Sequence, residues 1–213
     1  MKNSKAAKSP QTGNTEERIL NQSMRFFLEK GYHGTSIEDI TEAAGITKGA
    51  LYWHYEGKED LIKTIIQKWE KEFLDALIRK VGDVNGGAMD KFEKMFRYTA
   101  AFAYHHRELC ASFTTVAAEL VGAHHSIESQ FRRIYKKYQG FLSNLILQAK
   151  KEKVFKKEID ADLAALVIMS FHDGILFQWS MNRDEIDGEA FVKTYKTILV
   201  DGLLARSKAT DQL

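Results

Sequence analysis

Proline is almost absent from this sequence: the chain holds one, Pro10, ahead of every periodic segment. Nothing after it removes a backbone donor, so helix is permitted along the rest of the chain. Cysteine is equally scarce. Cys110 stands alone, so no intrachain disulfide forms and a disulfide-stapled secreted scaffold is excluded. A surplus of one charge is also lacking: 31 Lys and Arg face 29 Asp and Glu, a formal net charge of +2. Any contact with nucleic acid must therefore come from a local patch. Long uninterrupted apolar runs are missing too. The nearest, residues 163–181, carries His172 and Asp173 in its middle, and a charge there costs several kcal/mol in a bilayer. No membrane association is expected, and a helix apolar all round is expected between protein layers. Residues 1–14 carry Lys2, Lys5 and Lys8 but no apolar core. They read as a disordered basic arm rather than a secretory signal, and a cytoplasmic protein is expected.

What is present is periodicity of the helical kind. With 213 residues and 44% hydrophobic content the chain can bury a sizeable core. Ile19, Leu20, Ser23, Met24, Phe26 and Phe27 mark a first helix, capped by Thr15 and stopped by Gly31. Thr35 and Glu38 fit a capping box for a second, very short one. Gly45 ends it, Thr47 caps a third, and Gly57 breaks again. A long helix follows, with Leu61, Ile62, Ile65, Ile66, Trp69, Phe73, Leu77 and Val81 inward. After a glycine loop at 82–87 come helices marked by Phe92, Phe96 and Ala103, by residues 107–121, and by steps of three and four from Ile127 to Ala149. The apolar helix and a last stripe through Phe191, Tyr195, Ile198 and Leu203 complete the chain. The expectation is an all-α protein of about nine helices. It divides into an arm (1–14), a short-helix domain (15–57) and a long-helix domain (58–213).

Function concentrates in residues 35–58, which read TSIEDITEAAGITKGALYWHYEGK. Two short helices joined by a tight glycine turn are the sequence form of a helix-turn-helix, whose second helix enters the major groove of DNA. Thr47 and Lys48 lie in its first turn, where phosphate oxygens or guanine acceptors are in reach. Gly49 and Ala50 are small enough for close approach to bases. Tyr52, Trp53 and His54 span too wide an arc of a helix for all three to be buried. Leu51 is expected inward, and Lys58 beside a phosphate.

At these residues the sequence resembles the tetracycline-repressor (TetR) family. The order GY-x-G-T-S-I-x-D-I, A-G-I-T-K-G-x-L-Y-x-H-Y and then K-E-D-L covers about a quarter of the chain and is specific as a set. The resemblance implies phosphate contacts from Thr35 and Ser36 and a base- and phosphate-facing turn at Thr47, Lys48, Gly49 and Ala50. It also implies phosphate contacts from Tyr52, His54 and Lys58. Trp53 stands where tyrosine or phenylalanine is usual. Gly57 stands where a capping side chain is common, which predicts a looser start to the fourth helix. The resemblance further implies a C-terminal ligand-binding and dimerisation domain whose last two helices pair with their copies. Leu163, Val167, Gly174, Phe191, Tyr195, Ile198 and Leu199 are the expected interface. An effector pocket is expected from Phe92, Phe96, Phe102, Phe113, Phe141, Phe171 and Phe177, with His105, His172, Asp173 or Gln178 as polar groups. The aromatic load favours a lipophilic effector. No metal or cofactor is expected.

Two rival functions differ in class. An enzyme would need a catalytic motif, and no G-x-S-x-G, H-E-x-x-H, phosphate loop or dinucleotide fingerprint is present. Adjacent histidines at 105–106 and 124–125 diverge by about 100° on a helix and rarely serve one ion. A chromosome-organising or division-linked protein on the same fold would bind DNA without an effector.

Overall fold

The computed structural model describes residues 15–122, 125–181 and 187–204; the expected arm, His124 and most of the polar loop at 182–188 lie outside the described residues. Nine helices make up the described chain: α1 (Thr15–Gly34), α2 (Ile37–Ala44), α3 (Lys48–His54), a composite α4, α5 (Ala88–His105), α6 (Arg107–Leu120), α7 (His125–Lys151), α8 (Ala161–Met181) and α9 (Gly188–Leu203). α4 runs through Lys58–Trp69, a π-helical turn Glu70–Asp75, and Ala76–Gly82. The one sign of extended pairing among the described residues is an isolated bridge between Phe155 and Leu204, which ties the α7–α8 connector to the end of α9.

The π turn has a physical reason. Residues 61, 65, 69, 73, 77 and 81 recur every four positions, and on an α-helix each such step drifts about 40°. A wider turn resets the register, so Leu61, Ile65, Trp69, Phe73, Leu77 and Val81 are all buried. The same turn aims Glu70 at α7. Glu70 accepts two hydrogen bonds from the Arg133 guanidinium, at 2.7 and 2.6 Å, and one from Lys137 at 2.9 Å. The Arg133 bonds hold its carboxyl down at about 2.

One contiguous core runs from Ile19 in α1 to Leu203 in α9. α1 lies along α6, and α7 along α8. Packing therefore continues across residue 57, where composition alone suggests a boundary. α8 explains its own apolarity. Ala161, Ala165, Ile168 and Met169 are buried within the chain. Leu163, Leu166, Val167, Phe171 and Phe177 lie on the opposite side and are exposed. The segment Ala161–Gln178 is long and apolar enough, by length and composition, to cross a membrane. One of its two apolar faces is spent inside this chain and the other is exposed.

Candidate functional site

α2 and α3 meet at Gly45, which takes φ 63° and ψ 41°, the left-handed conformation that ends a helix cheaply only at glycine. The Ile46 N–H donates to the Thr41 carbonyl at 3.0 Å, and the Arg18 guanidinium of α1 donates to the Ala44 carbonyl. Thr47 caps α3 by accepting from the Ala50 N–H at 3.1 Å. Leu51 is fully buried and roots the helix in the core. Lys48, Gly49, Tyr52 and Trp53 are exposed, whereas Ala50 and His54 are half-buried. Trp53 is 86% exposed and Tyr52 54%. A side chain grown on Gly49 would meet nothing nearer than the Thr47 hydroxyl at 3.9 Å, so the fold itself makes no demand for glycine there. The absence of an internal requirement at 49, 52 and 53 leaves an outside surface as the use for these residue types.

Lys48 is exposed and paired with Glu38 of α2. Solvated pairs of this kind contribute little to stability, so the lysine can leave Glu38 for a phosphate at little cost. Lys48→Ala is expected to weaken DNA binding and to lower the slope of log affinity against log salt by about one for each phosphate no longer neutralised. Fluorescence anisotropy across a potassium chloride series measures both.

The structure revises several expectations at this site. The cap of α2 is Ser36, not Thr35, and its capping-box partner is Asp39, not Glu38. Thr35 is 2% exposed and its hydroxyl donates to the Gly31 carbonyl at 2.7 Å, so it offers nothing to a phosphate. The Ser36 hydroxyl donates to Asp39 at 2.8 Å and helps hold that carboxyl at about 2. His54 is half-buried beside α1, its Nδ1 3.3 Å from Glu16, which leaves its expected phosphate role neither supported nor overturned. Lys58 is drawn inward: its ammonium donates to the Tyr32 carbonyl at 2.8 Å and the Thr35 carbonyl at 2.7 Å. It acts as a strut between α4 and the α1–α2 turn. Gly57 takes φ 156° and ψ −164°, a region open almost only to glycine. The missing cap is thus a backbone requirement, and the start of α4 is held by Lys58 rather than loose.

A second site lies among the long helices. A cavity of about 90 Å³ is walled by Trp69 and Phe73 of α4, Phe96, Thr99 and Phe102 of α5, and Cys110, Phe113 and Thr114 of α6. Ile134, Tyr135 and Tyr138 of α7, His172, Asp173 and Leu176 of α8, and Val192 and Tyr195 of α9 close it. Of the residues expected to form a pocket, Phe96, Phe102, Phe113, His172 and Asp173 lie in this wall. Phe92 instead packs on Phe155 in the core, at 5.0 Å between ring centres. Phe141 is half-buried on the far side of Tyr138, and Phe171 and Phe177 are exposed on α8. His105 lines a separate open groove with Tyr104 and Arg107. Tyr195, expected at the interface, is 6% exposed and belongs to the cavity wall. Phe191 and Leu199 are half-buried in this chain, whereas Leu163, Val167 and Ile198 are exposed. Gly174 faces open space.

The polar groups of the cavity differ in kind. His172 Nδ1 is 2.8 Å from the Tyr138 hydroxyl and Nε2 is 3.3 Å from that of Tyr195. Both nitrogens are satisfied, and burial holds the ring neutral by lowering its pKa to about 4. Among the described residues Asp173 receives the Tyr135 hydroxyl alone, 3.3 Å from each oxygen, and burial raises its carboxyl to about 6. The Thr99 hydroxyl is buried without a hydrogen-bond partner among the described residues. Cys110 is buried and its thiol is pushed up to about 12, which makes it a packing residue rather than a nucleophile.

Comparison with known proteins bears on the family and the fold. Residues 19–65 match the family described as bacterial regulatory proteins, tetR family, and residues 70–202 match the YsiA-like protein C-terminal region. The transcriptional regulator AcrR of Shigella flexneri is 21% identical over 204 residues, covering 93% of this chain and 95% of that protein. The MbdR regulator from Azoarcus sp. CIB superposes with a TM-score of 0.82 at 26% identity, over 90% of this chain and 100% of the other. FadR from Bacillus subtilis, solved in complex with stearoyl-CoA, superposes at 0.73 and 19% identity, over 87% and 98%.

Proposed function

The chain belongs to the tetR family of bacterial regulatory proteins, and we propose that it acts as a two-fold dimer that grips a pseudo-palindromic operator and releases it when a compact lipophilic molecule fills the cavity. The observation that carries the DNA half is the exposed face of α3, where Lys48, Gly49, Tyr52 and Trp53 point outward with no part in the core. Two such helices, one per protomer, would enter successive major grooves. The dimer surface in this reading is the exposed stripe of α8 with Ile198 of α9. Leu163, Val167, Phe171, Gly174 and Phe177 recur every three or four residues on one side of α8.

The cavity argues for a compact ligand. An engineered cavity of about 150 Å³ takes benzene, so this space of about 90 Å³ suits a short branched chain as it stands and a single ring only once its walls move apart. The lining is mostly aromatic and aliphatic; the Thr114 hydroxyl and the His172 ring are already hydrogen-bonded within the chain, and the Asp173 carboxyl and the Thr99 hydroxyl are its least satisfied polar groups among the described residues. Those two groups favour a ligand with a hydrogen-bonding group at one end. FadR of Bacillus subtilis holds stearoyl-CoA, and the proposal for this chain is a shorter or aromatic acyl group on the same kind of carrier.

Operator release measured with butyryl-CoA, benzoyl-CoA and stearoyl-CoA tests this. Release by the first two is expected; release by stearoyl-CoA alone would remove the compact-ligand reading. Genome-wide mapping of bound sites separates the rival: one or a few promoter sites are expected, whereas many dispersed sites would favour a chromosome organiser.

Asp173 gives a pH-dependent expectation. Its folded pKa of about 6 lies above the ordinary 3.8, so the folded state favours the protonated form and loses stability as pH rises from about 4 through 6. Asp173→Asn removes that loss. It is expected to match the parent near pH 4 and to exceed it by on the order of 2 kcal/mol above pH 7, read from urea melts at the two pH values.

A further inference from the structure

The turn between α1 and α2 is held by two side chains from distant parts of the chain. Gly31 takes φ 71° and ψ 174° inside α1, which breaks the helix and turns the following N–H groups outward. Glu119, next to last in α6, accepts both of them: Tyr32 N–H donates to Oε2 at 2.7 Å and His33 N–H to Oε1 at 2.9 Å. On its other side the turn offers carbonyls, and Lys58 of α4 donates to those of Tyr32 and Thr35. An anion on the N–H groups and a cation on the carbonyls thus grip one short stretch of backbone. Its residues lead directly into α2, the first helix of the DNA-reading unit. Gly31 is required twice over. Its φ is positive, and a Cβ there would come within 2.8 Å of Glu119 Oε2.

Both jaws sit on helices that also line the cavity. α6 carries Cys110, Phe113 and Thr114 in the cavity wall, and Thr114 lies about 7.5 Å along the helix from Glu119. α4 carries Trp69 and Phe73 in the same wall. The two helices touch there face to face, because the rings of Trp69 and Phe113 stack with centres 4.0 Å apart and planes 10° apart. A molecule that parts these rings shifts α4 against α6, and so moves the Lys58 jaw against the Glu119 jaw.

We propose that Glu119, working against Lys58, is the positioning residue through which the Trp69–Phe113 contact sets the angle of the DNA-reading helices. Neither side chain touches the cavity, so the clamp transmits without binding ligand. The inference builds on the ligand-release reading but can be tested apart from it, since the ring contact is altered by mutation as well as by a ligand.

The experiment is a double-mutant cycle on operator affinity in the full-length dimer, with Phe113→Leu opening the ring stack and Glu119→Gln loosening one jaw. Glutamine keeps the length but offers a single acceptor where two N–H groups need one each. Phe113→Leu is expected to change operator affinity about tenfold in the parent and less than about twofold in the Glu119→Gln background. Effects that multiply independently would overturn the proposal. Glu119→Asp, too short to span the gap, serves as a second variant and is expected to behave like the glutamine. A parallel arm adds benzoyl-CoA. Binding to Glu119→Gln within about twofold of the parent, with operator release abolished, is the expected pattern; release equal to the parent would overturn the clamp. Failure of benzoyl-CoA to act on the parent overturns the ligand reading alone, and the cycle still decides the clamp.

Discussion

Val167→Glu is expected to yield a monomer that binds operator DNA at least about 100-fold more weakly than the parent, because the second half-site then binds without the benefit of linkage. Val167 is 51% exposed at the centre of the α8 stripe, with Leu163 one turn before it and Phe171 one turn after. In a monomer the new carboxylate stays in water and costs the fold little. In a dimer it would be buried against an apolar copy of itself, together with its symmetry mate. Two like charges at a two-fold axis have no partner to offset their desolvation. Gly174 lies two turns further along with open space where a Cβ would sit, so the backbones can approach closely there. Sedimentation at micromolar concentration and anisotropy on a full operator and on a single half-site check the result together. Weaker binding to the full site with unchanged affinity for the half-site is the signature of broken linkage. A Val167→Glu protein that remains dimeric would place the interface elsewhere.

Leu51→Ala is expected to abolish operator binding at physiological salt while leaving the long-helix cavity and the dimer intact. Leu51 is the one fully buried residue of a seven-residue helix. Deleting a buried leucine side chain costs about 2–5 kcal/mol. A helix this short has almost no stability of its own in water, so the loss falls on α3 and its seat against α2 rather than on the whole chain. Hydrogen exchange resolves the two outcomes. Amides of α2 and α3 should lose protection while those of α7 and α8 keep it. Uniform loss across all helices would mean that the reading unit and the long-helix body unfold as one.

Much of this organisation is legible in the sequence because helices of this protein obey simple periodicity. The α4 stripe from Leu61 to Val81, the inward Leu51 and the outward Tyr52 and Trp53 all follow from spacing. The all-helical architecture and the DNA-reading unit follow likewise. What escapes is of another kind. The choice between Thr35 and Ser36 as the cap is a matter of one residue, decided by the burial of Thr35 under the α1–α2 turn. Lys58 reads as a phosphate ligand until the fold brings two carbonyls to it across 23 and 26 positions. Glu119 carries no local signal at all, since its partners Tyr32 and His33 lie 87 and 86 residues away. In the cavity, aromatic type alone cannot separate Phe96 and Phe113, which line it, from Phe171 and Phe177 on the opposite side of α8. Tyr135 and Tyr138 are readable as α7 residues on or beside its apolar face, but their role depends on which helices close over them.

The pairing of Lys48 with Glu38 bears on how fast the protein finds its target. A reading lysine left bare would adhere to any stretch of duplex, since contacts with phosphate ignore sequence. Glu38 on the neighbouring helix neutralises that charge and sets a negative group beside it. In the proposed DNA-reading role of Lys48, dwell time on random DNA is expected to be shortened, with carboxylate exchanged for phosphate where the surrounding contacts of α3 hold the helix in register. A protein with Glu38 replaced by glutamine would grip chromosomal DNA longer at wrong sites and reach its operator later.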